Sequence, residues 1–385
     1  MVKIRGVSSE IIKDSRGEDT IEISIETNVG NFSSSAPEGK STGKYEAKPY
    51  KKNISEDMKN LNKFSEYFSE EVMEKYEHLK QIEDIVKDYV GANTLIALEY
   101  AILKAIAKEQ KKEVWQLINP SAKKIPRFLG NCVEGGKHSS SEKRPDFQEF
   151  LISPNEKNAK ENFEVMLKIK NMLKTLIHKE DKGFEEKKTD EDAWMTSLNE
   201  KQVFEIVEKS KVPFGTDIAA SSFYSRKKYR YKNPALKRSS EEQLFYISNI
   251  VKNFKPFYVE DPFEEEDFEN FATLLKKNPE TLIVGDDLTV TNLKRLEKAI
   301  KLKSINGIIV KPNQCGSLIE VKEVCELAKK NNIKIIFSHR SGETSESILA
   351  DLAFGFQADF LKCGITGKER ESKIKRIIEI ERSLK

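Results

Sequence analysis

Two rhythms of apolar and polar residues divide the chain. From Val2 to Phe32 the two kinds alternate, most regularly in Thr20-Ile21-Glu22-Ile23-Ser24-Ile25-Glu26-Thr27, and Asn28-Val29-Gly30 supplies a turn. A period of two predicts half-buried strands joined as an antiparallel hairpin. Between Ser55 and Lys111 the spacing becomes helical, and the stretch from Asn93 to Ile106 is the most apolar. Strands followed by helices predict an α+β domain over residues 1–120, with Asn119-Pro120 and Lys123-Lys124 at its boundary.

Residues 121–385 follow another pattern, in which a short apolar run ends in a charged or polar residue and a helical stretch follows. Six such junctions end at Asp217, Glu260, Asp286, Lys311, His339 and Lys362, spaced 43, 26, 25, 28 and 23 residues apart. Each interval fits one strand plus one crossover helix of a parallel α/β unit. The fold class expected is therefore α/β, a (β/α) barrel carrying an amino-terminal α+β domain. Active sites of such barrels lie at the carboxyl ends of the strands, where these six residues fall.

Composition narrows the function without naming it. Lys and Arg number 66 against 63 Asp and Glu, a formal charge of +3 over 385 residues, too small for a nucleic-acid or membrane footprint. No apolar run approaches the ~20 residues that span a bilayer, and Met1-Val2-Lys3-Ile4-Arg5 opens no signal-peptide segment, so a cytoplasmic protein is expected. Cys132, Cys315, Cys325 and Cys363 form no CxxC pair and read as free thiols. Gly39-Lys40-Ser41-Thr42 ends like a P-loop, but position 34 is Ser where that motif needs Gly. The basic and aromatic run Arg226–Lys232 reads as a solvated turn before it reads as an RNA patch.

Three carboxylates at one barrel mouth repel one another unless protonated or bound to a cation, and hard oxygen ligands favour Mg²⁺. Asp217, Glu260 and Asp286 are the candidate metal ligands; helix capping or ion pairing is the alternative for any one alone. Lys311 and Lys362 face them from later strands, and a lysine so placed is expected to have a depressed pKa and to act as a base. His339-Arg340-Ser341 sets an imidazole beside a guanidinium fork suited to phosphate. Together these point to proton abstraction next to a carboxylate.

The chain resembles the enolases nearly end to end. Asp14-Ser15-Arg16-Gly17 is similar to their amino-terminal motif and Pro37–Ala47 to their active-site lid. Glu134-Gly135-Gly136-Lys137-His138 and Gln148-Glu149-Phe150 are similar to family segments bearing a substrate-binding His and a catalytic Glu. The barrel junctions lie in further matching stretches, among them Glu260-Asp261-Pro262-Phe263, Lys311-Pro312-Asn313-Gln314 and Ser338–Thr344. The resemblance implies reversible, Mg²⁺-dependent dehydration of 2-phosphoglycerate to phosphoenolpyruvate, and with it the pattern known for enolase-superfamily sites, a Lys or His base opposite one or two magnesium ions. It implies metal ligation by Asp217, Glu260, Asp286 and Ser41, proton abstraction by Lys311, and carboxylate binding by Lys362. It also implies a phosphate grip by Arg340 and Ser341, a pocket lined by His138 and His339, acid chemistry by Glu149, and a homo-dimer or larger ring.

Several positions depart from the family. Its Asp-Glu-Gly-Gly-Phe motif is matched to Glu180-Asp181-Lys182-Gly183-Phe184, which sets Asp181 at the catalytic position, one methylene short. Glu134 stands where the family usually has Asn, Ser222 replaces a usual Glu, Ser139–Asp146 is longer, and the stretch from Asn171 to Val212 is compressed. The alternatives are an enolase-like paralogue acting on another phosphorylated or carboxylated acid, and a non-catalytic binding protein of the same fold.

Overall fold

The computed structural model describes residues 1–40 and 43–384. The alternating segment forms strands Val2–Lys13, Asp19–Thr27 and Gly30–Ser35, an antiparallel meander turning at the Asn28-Val29 corner. Ile21, Ile23 and Ile25 point to one buried face. Against this face packs the helix Ala92–Glu109, whose apolar residues are buried on nearly every side. Its Lys104 escapes burial by donating to Ser33 O at 2.8 Å and pairing with Glu346 at 2.6 Å.

Among the described residues, eight strands close into a barrel: Arg127–Glu134, Glu149–Ile152, Phe214–Asp217, Tyr258–Glu260, Leu282–Gly285, Gly307–Val310, Lys334–Ser338 and Phe360–Gly364. The eighth pairs with the first and closes the ring. The expected all-parallel order fails at one place, because the second strand runs antiparallel to both neighbours. A strand's first residue then lies at the same rim as its neighbours' last, so Glu149 sits between Glu134 and Asp217. The reversal adds a carboxylate to the mouth that a parallel strand would have placed at the far end.

The barrel interior is sealed by Leu129, Leu151, Tyr258, Val284, Ile309, Ile336 and Phe360, a layer of its own separate from the larger core between strands and helices. Charged rim residues thus stand on an apolar floor. The amino-terminal domain reaches the same rim, where Ser15 N donates to Glu343 O at 2.8 Å and Arg370 donates to Ser15 Oγ at 3.2 Å. The Arg226–Lys232 run is part of a small antiparallel sheet rather than a solvated turn, and its Tyr229 and Tyr231 are buried, not offered for stacking. Among the described residues no helix is long and apolar enough to cross a membrane.

Ile336→Ala removes floor packing that its neighbours cannot refill, and the expected loss is about 2–5 kcal/mol. Urea denaturation of wild type and variant measures it. A midpoint unchanged from wild type would show that the floor does not hold the rim.

Candidate active site

A polar cavity of about 30 Å³ opens at the barrel mouth, lined by His138, Glu149, Asp217, Asp286, Lys311, His339, Arg340, Ser341 and Lys362, with Gly39 and Lys40 above. Glu260 lies just beneath, fully buried under Lys362. A larger groove of about 810 Å³ at the seam between the domains contains none of these residues. The converging charges, not the size of the opening, mark the site.

Lys362 projects from the last strand into the ring of acids. Its Nζ lies 3.0 Å from Asp217, 2.7 Å from Glu260 and 3.1 Å from Glu149. One ammonium cannot neutralise three carboxylates. Glu260 is accordingly pushed up to about 8, by burial first and the charge of Asp217 second. Glu149 is raised well above the carboxylate range by burial, with Lys362 opposing and Glu191 and Asp217 reinforcing. The depressed pKa expected of Lys362 is not found: burial works against the charge, but Asp217, Glu149 and Glu260 push it well above the ordinary lysine value.

Lys311 follows the sixth strand and pairs with Asp286 at 2.5 Å. Thr291 Oγ1 accepts from Lys311 N at 2.9 Å and donates to Gln314, which in turn donates to Asp286 at 2.8 Å. This loop is strained: Val290 and Thr291 have φ of 43° and 52°, values β-branched residues avoid. The expected depressed pKa of Lys311 is not found. Burial is the largest single influence and pushes it down, but Asp286, Glu260 and the other acids at the mouth together outweigh it, and the net direction is up.

Arg340 is buried, donating to Asn313 at 2.9 Å and pairing with Glu46 at 2.9 Å. Gly39 lies directly over it; a Cβ there would stand 1.9 Å from the guanidinium, so only glycine fits. Lys40 N donates to Ser341 Oγ at 2.7 Å, and Glu38 and Gly342 exchange backbone hydrogen bonds at 2.7 and 2.8 Å. The lid segment therefore lies on the mouth up to residue 40. Ser41, expected as a metal ligand, falls outside the described residues.

Two family descriptions match the chain: an "Enolase, N-terminal domain" over residues 4–118 and an "Enolase, C-terminal TIM barrel domain" over residues 122–385. The chain belongs to the enolase family. The enolase of Methanosphaera stadtmanae is 34% identical over 99% of this chain and 97% of that protein. That of Methanocorpusculum labreanum is 35% identical over 99% of both, and that of Saccharolobus islandicus 35% identical over 98% of this chain and 95% of that protein. By class this enolase-family chain is a hydro-lyase.

Within this enolase fold Asp181 does not reach the mouth. It closes the helix Ala159–Glu180, where Thr196 Oγ1, Ser197 N and Ser197 Oγ donate to it at 2.7 Å and Gly183 N at 3.1 Å. Its carboxylate is already committed. Glu191 is the acid that lines the cavity, 3.1 Å from His339 Nε2 and accepting from Asn131 at 3.1 Å. Burial disfavours its charge, but His339 and His138 beside it more than offset this and the net direction is down, even though burial also lowers the pKa of His339. The sequence carries a signal for it: Asp190-Glu191-Asp192-Ala193-Trp194 keeps the Asp-Glu pair and the aromatic three residues on. Asp192 sits at φ 62°, the left-handed conformation that a glycine at that place would supply.

Asp217, Glu260 and Asp286 offer only carboxylate oxygens from three neighbouring strands, all buried, and the mutual repulsion that lifts Glu260 is what a divalent cation relieves. Asp261, Asp286 and Asp287 also approach within 4.8 Å of one another. Asp261 is a buttress there, since its oxygens accept from Asp286 N at 3.0 Å and Asp287 N at 2.6 Å. The donor set fits Mg²⁺.

Burial raises Glu149 well above the usual carboxylate range, so its carboxyl is expected to hold a proton at a mildly acidic pH where an ordinary carboxyl has lost it. Infrared difference spectra between wild type and Glu149→Gln at that pH should contain a protonated-carboxyl band from the wild type. Identical spectra in that region would contradict the assignment.

Proposed function

We propose that this protein catalyses the reversible, Mg²⁺-dependent dehydration of 2-phosphoglycerate to phosphoenolpyruvate. What carries the reading is the meeting of a buried and a half-buried lysine, a crowded set of acids and an Arg–Ser pair in one cavity, in a chain whose relatives are named Enolase. Arg340 and Ser341 would hold the phosphate, and Lys362 the carboxylate. Lys311 Nζ would take the proton from C2, and Glu149, whose burial favours its protonated form, would give one to the departing C3 hydroxyl so that it leaves as water. Glu191, anchored by His339 and Asn131, would orient that hydroxyl and share the proton. His138 and His339 would line the pocket around it.

Asp217, Glu260 and Asp286 would hold the magnesium. When bound it supplies positive charge against the negative charge that builds on the substrate carboxylate. Lys311 can accept a proton only as the free amine, so its pairing with Asp286 must loosen in the working complex. Gly39, Lys40 and the backbone of Glu38 would exclude water from the mouth. Assembly as a homo-dimer or larger ring and action in the cytoplasm belong to the same proposal.

Phosphoenolpyruvate formation, followed by its ultraviolet absorbance with magnesium and then with chelator, tests the reading. Glu191→Gln should lower kcat by at least about 10²-fold, the range of a lost general acid. Asp181→Asn should leave kcat per folded molecule close to wild type. A wild-type rate at background, with magnesium bound, would favour an enolase-like enzyme acting on a different acid.

A further inference from the structure

Glu134 closes the first barrel strand and is fully buried at the rim. The next residues turn sharply back. Gly136 takes φ of 49°, and a Cβ on Gly135 would stand 2.2 Å from Pro145 O, so the two glycines permit a turn that no bulkier pair could make. The turn returns His138 over the carboxylate, with Nδ1 2.9 Å from Glu134 Oε1. The same oxygen accepts from Asn131 Nδ2 at 2.5 Å, and Asn131 also donates to Glu191 at 3.1 Å. Glu134 is not itself among the residues that line the cavity; it grips His138, which is, and Asn131, which donates to the lining Glu191.

We propose that Glu134 is a positioning residue, whose carboxylate keeps a proton on His138 Nδ1 and fixes the ring so that Nε2 is its free nitrogen toward the cavity. The proposal rests on the dehydration reading above for its effect on rate, and on geometry alone for the placement of the proton. An imidazole held at Nδ1 by a carboxylate has its tautomer set and its cation favoured. The groups facing His138 are Glu134 on its own turn, Glu191 on the segment before Trp194–Met195, and Glu149 and Asp217 on the next two strands. Burial lowers its pKa, Glu134 raises it most, and the net direction is up. An Asn at this position could not do the same. Its side chain is shorter and uncharged, so the ring would lose both its anchor and its counter-charge.

The histidines of ¹⁵N-labelled, magnesium-loaded protein can be followed by NMR across a pH series, with His138→Gln assigning the signal. In wild type His138 should be protonated at Nδ1, and its titration should lie at higher pH than in Glu134→Gln. In the dehydration assay Glu134→Gln should lower kcat by about 10²-fold, the scale of a misplaced group, with a much smaller change in KM. The limb of its kcat–pH profile that His138 governs should move to lower pH, and Glu134→Asp should recover part of the loss. Should Glu134→Gln fail to fold, Glu134→Asp carries both readouts, with the same shifts in smaller degree. An unchanged His138 titration together with unchanged kcat in a folded variant overturns the proposal. A wild type that makes no phosphoenolpyruvate but whose His138 still responds to Glu134→Gln would overturn the dehydration reading and leave the dyad standing.

Discussion

Too many acids share too few cations at the barrel mouth, and the rest of the site follows from that imbalance. Lys362 stands among Glu149, Asp217 and Glu260, while Lys311 is claimed by Asp286. Each acid is buried, so its charge survives only with a partner. The excess is settled unequally. Glu149 and Glu260 are pushed toward their neutral forms, whereas Asp286 and Glu191 stay ionised beside a lysine and a histidine. Carboxyls separated in this way can divide the labour of giving a proton, holding a cation and orienting a leaving group.

The fold supplies this concentration through one topological exception. Because the second strand is reversed, Glu149 enters the rim between Glu134 and Asp217. The apolar layer around Tyr258 and Ile336 keeps water from rising beneath these groups. From above, Gly39 packs on Arg340 and the Asp14-Ser15-Arg16 turn braces Ser341, so the amino-terminal domain completes a cavity that the barrel alone would leave open.

Much of this is legible in the sequence. The rim residues from Asp217 to Lys362 can be read because each ends a short apolar run, and a parallel barrel gathers such ends at one side. The first two strands escape that rule: Glu149 opens its strand rather than closing it. Glu191 escapes for another reason. It lies in an irregular segment without periodicity, and Asp192 occupies a glycine-like backbone position that hides the motif. Asp181 shares the spacing to an aromatic, but two backbone amides and two hydroxyls nearby have captured its carboxylate. The charge state of Lys311 was beyond reach of spacing, because it depends on Asp286 being 2.5 Å away.

In the proposed reaction the amine on the sixth strand would remove hydrogen from carbon while the acids opposite govern its charge. Exchange of the C2 hydrogen of 2-phosphoglycerate with deuterated water, followed by proton NMR with magnesium present, tests it most directly. The wild type should exchange that hydrogen and Lys311→Ala should not, even though the variant still binds the acid. Equal exchange in both proteins would contradict the account.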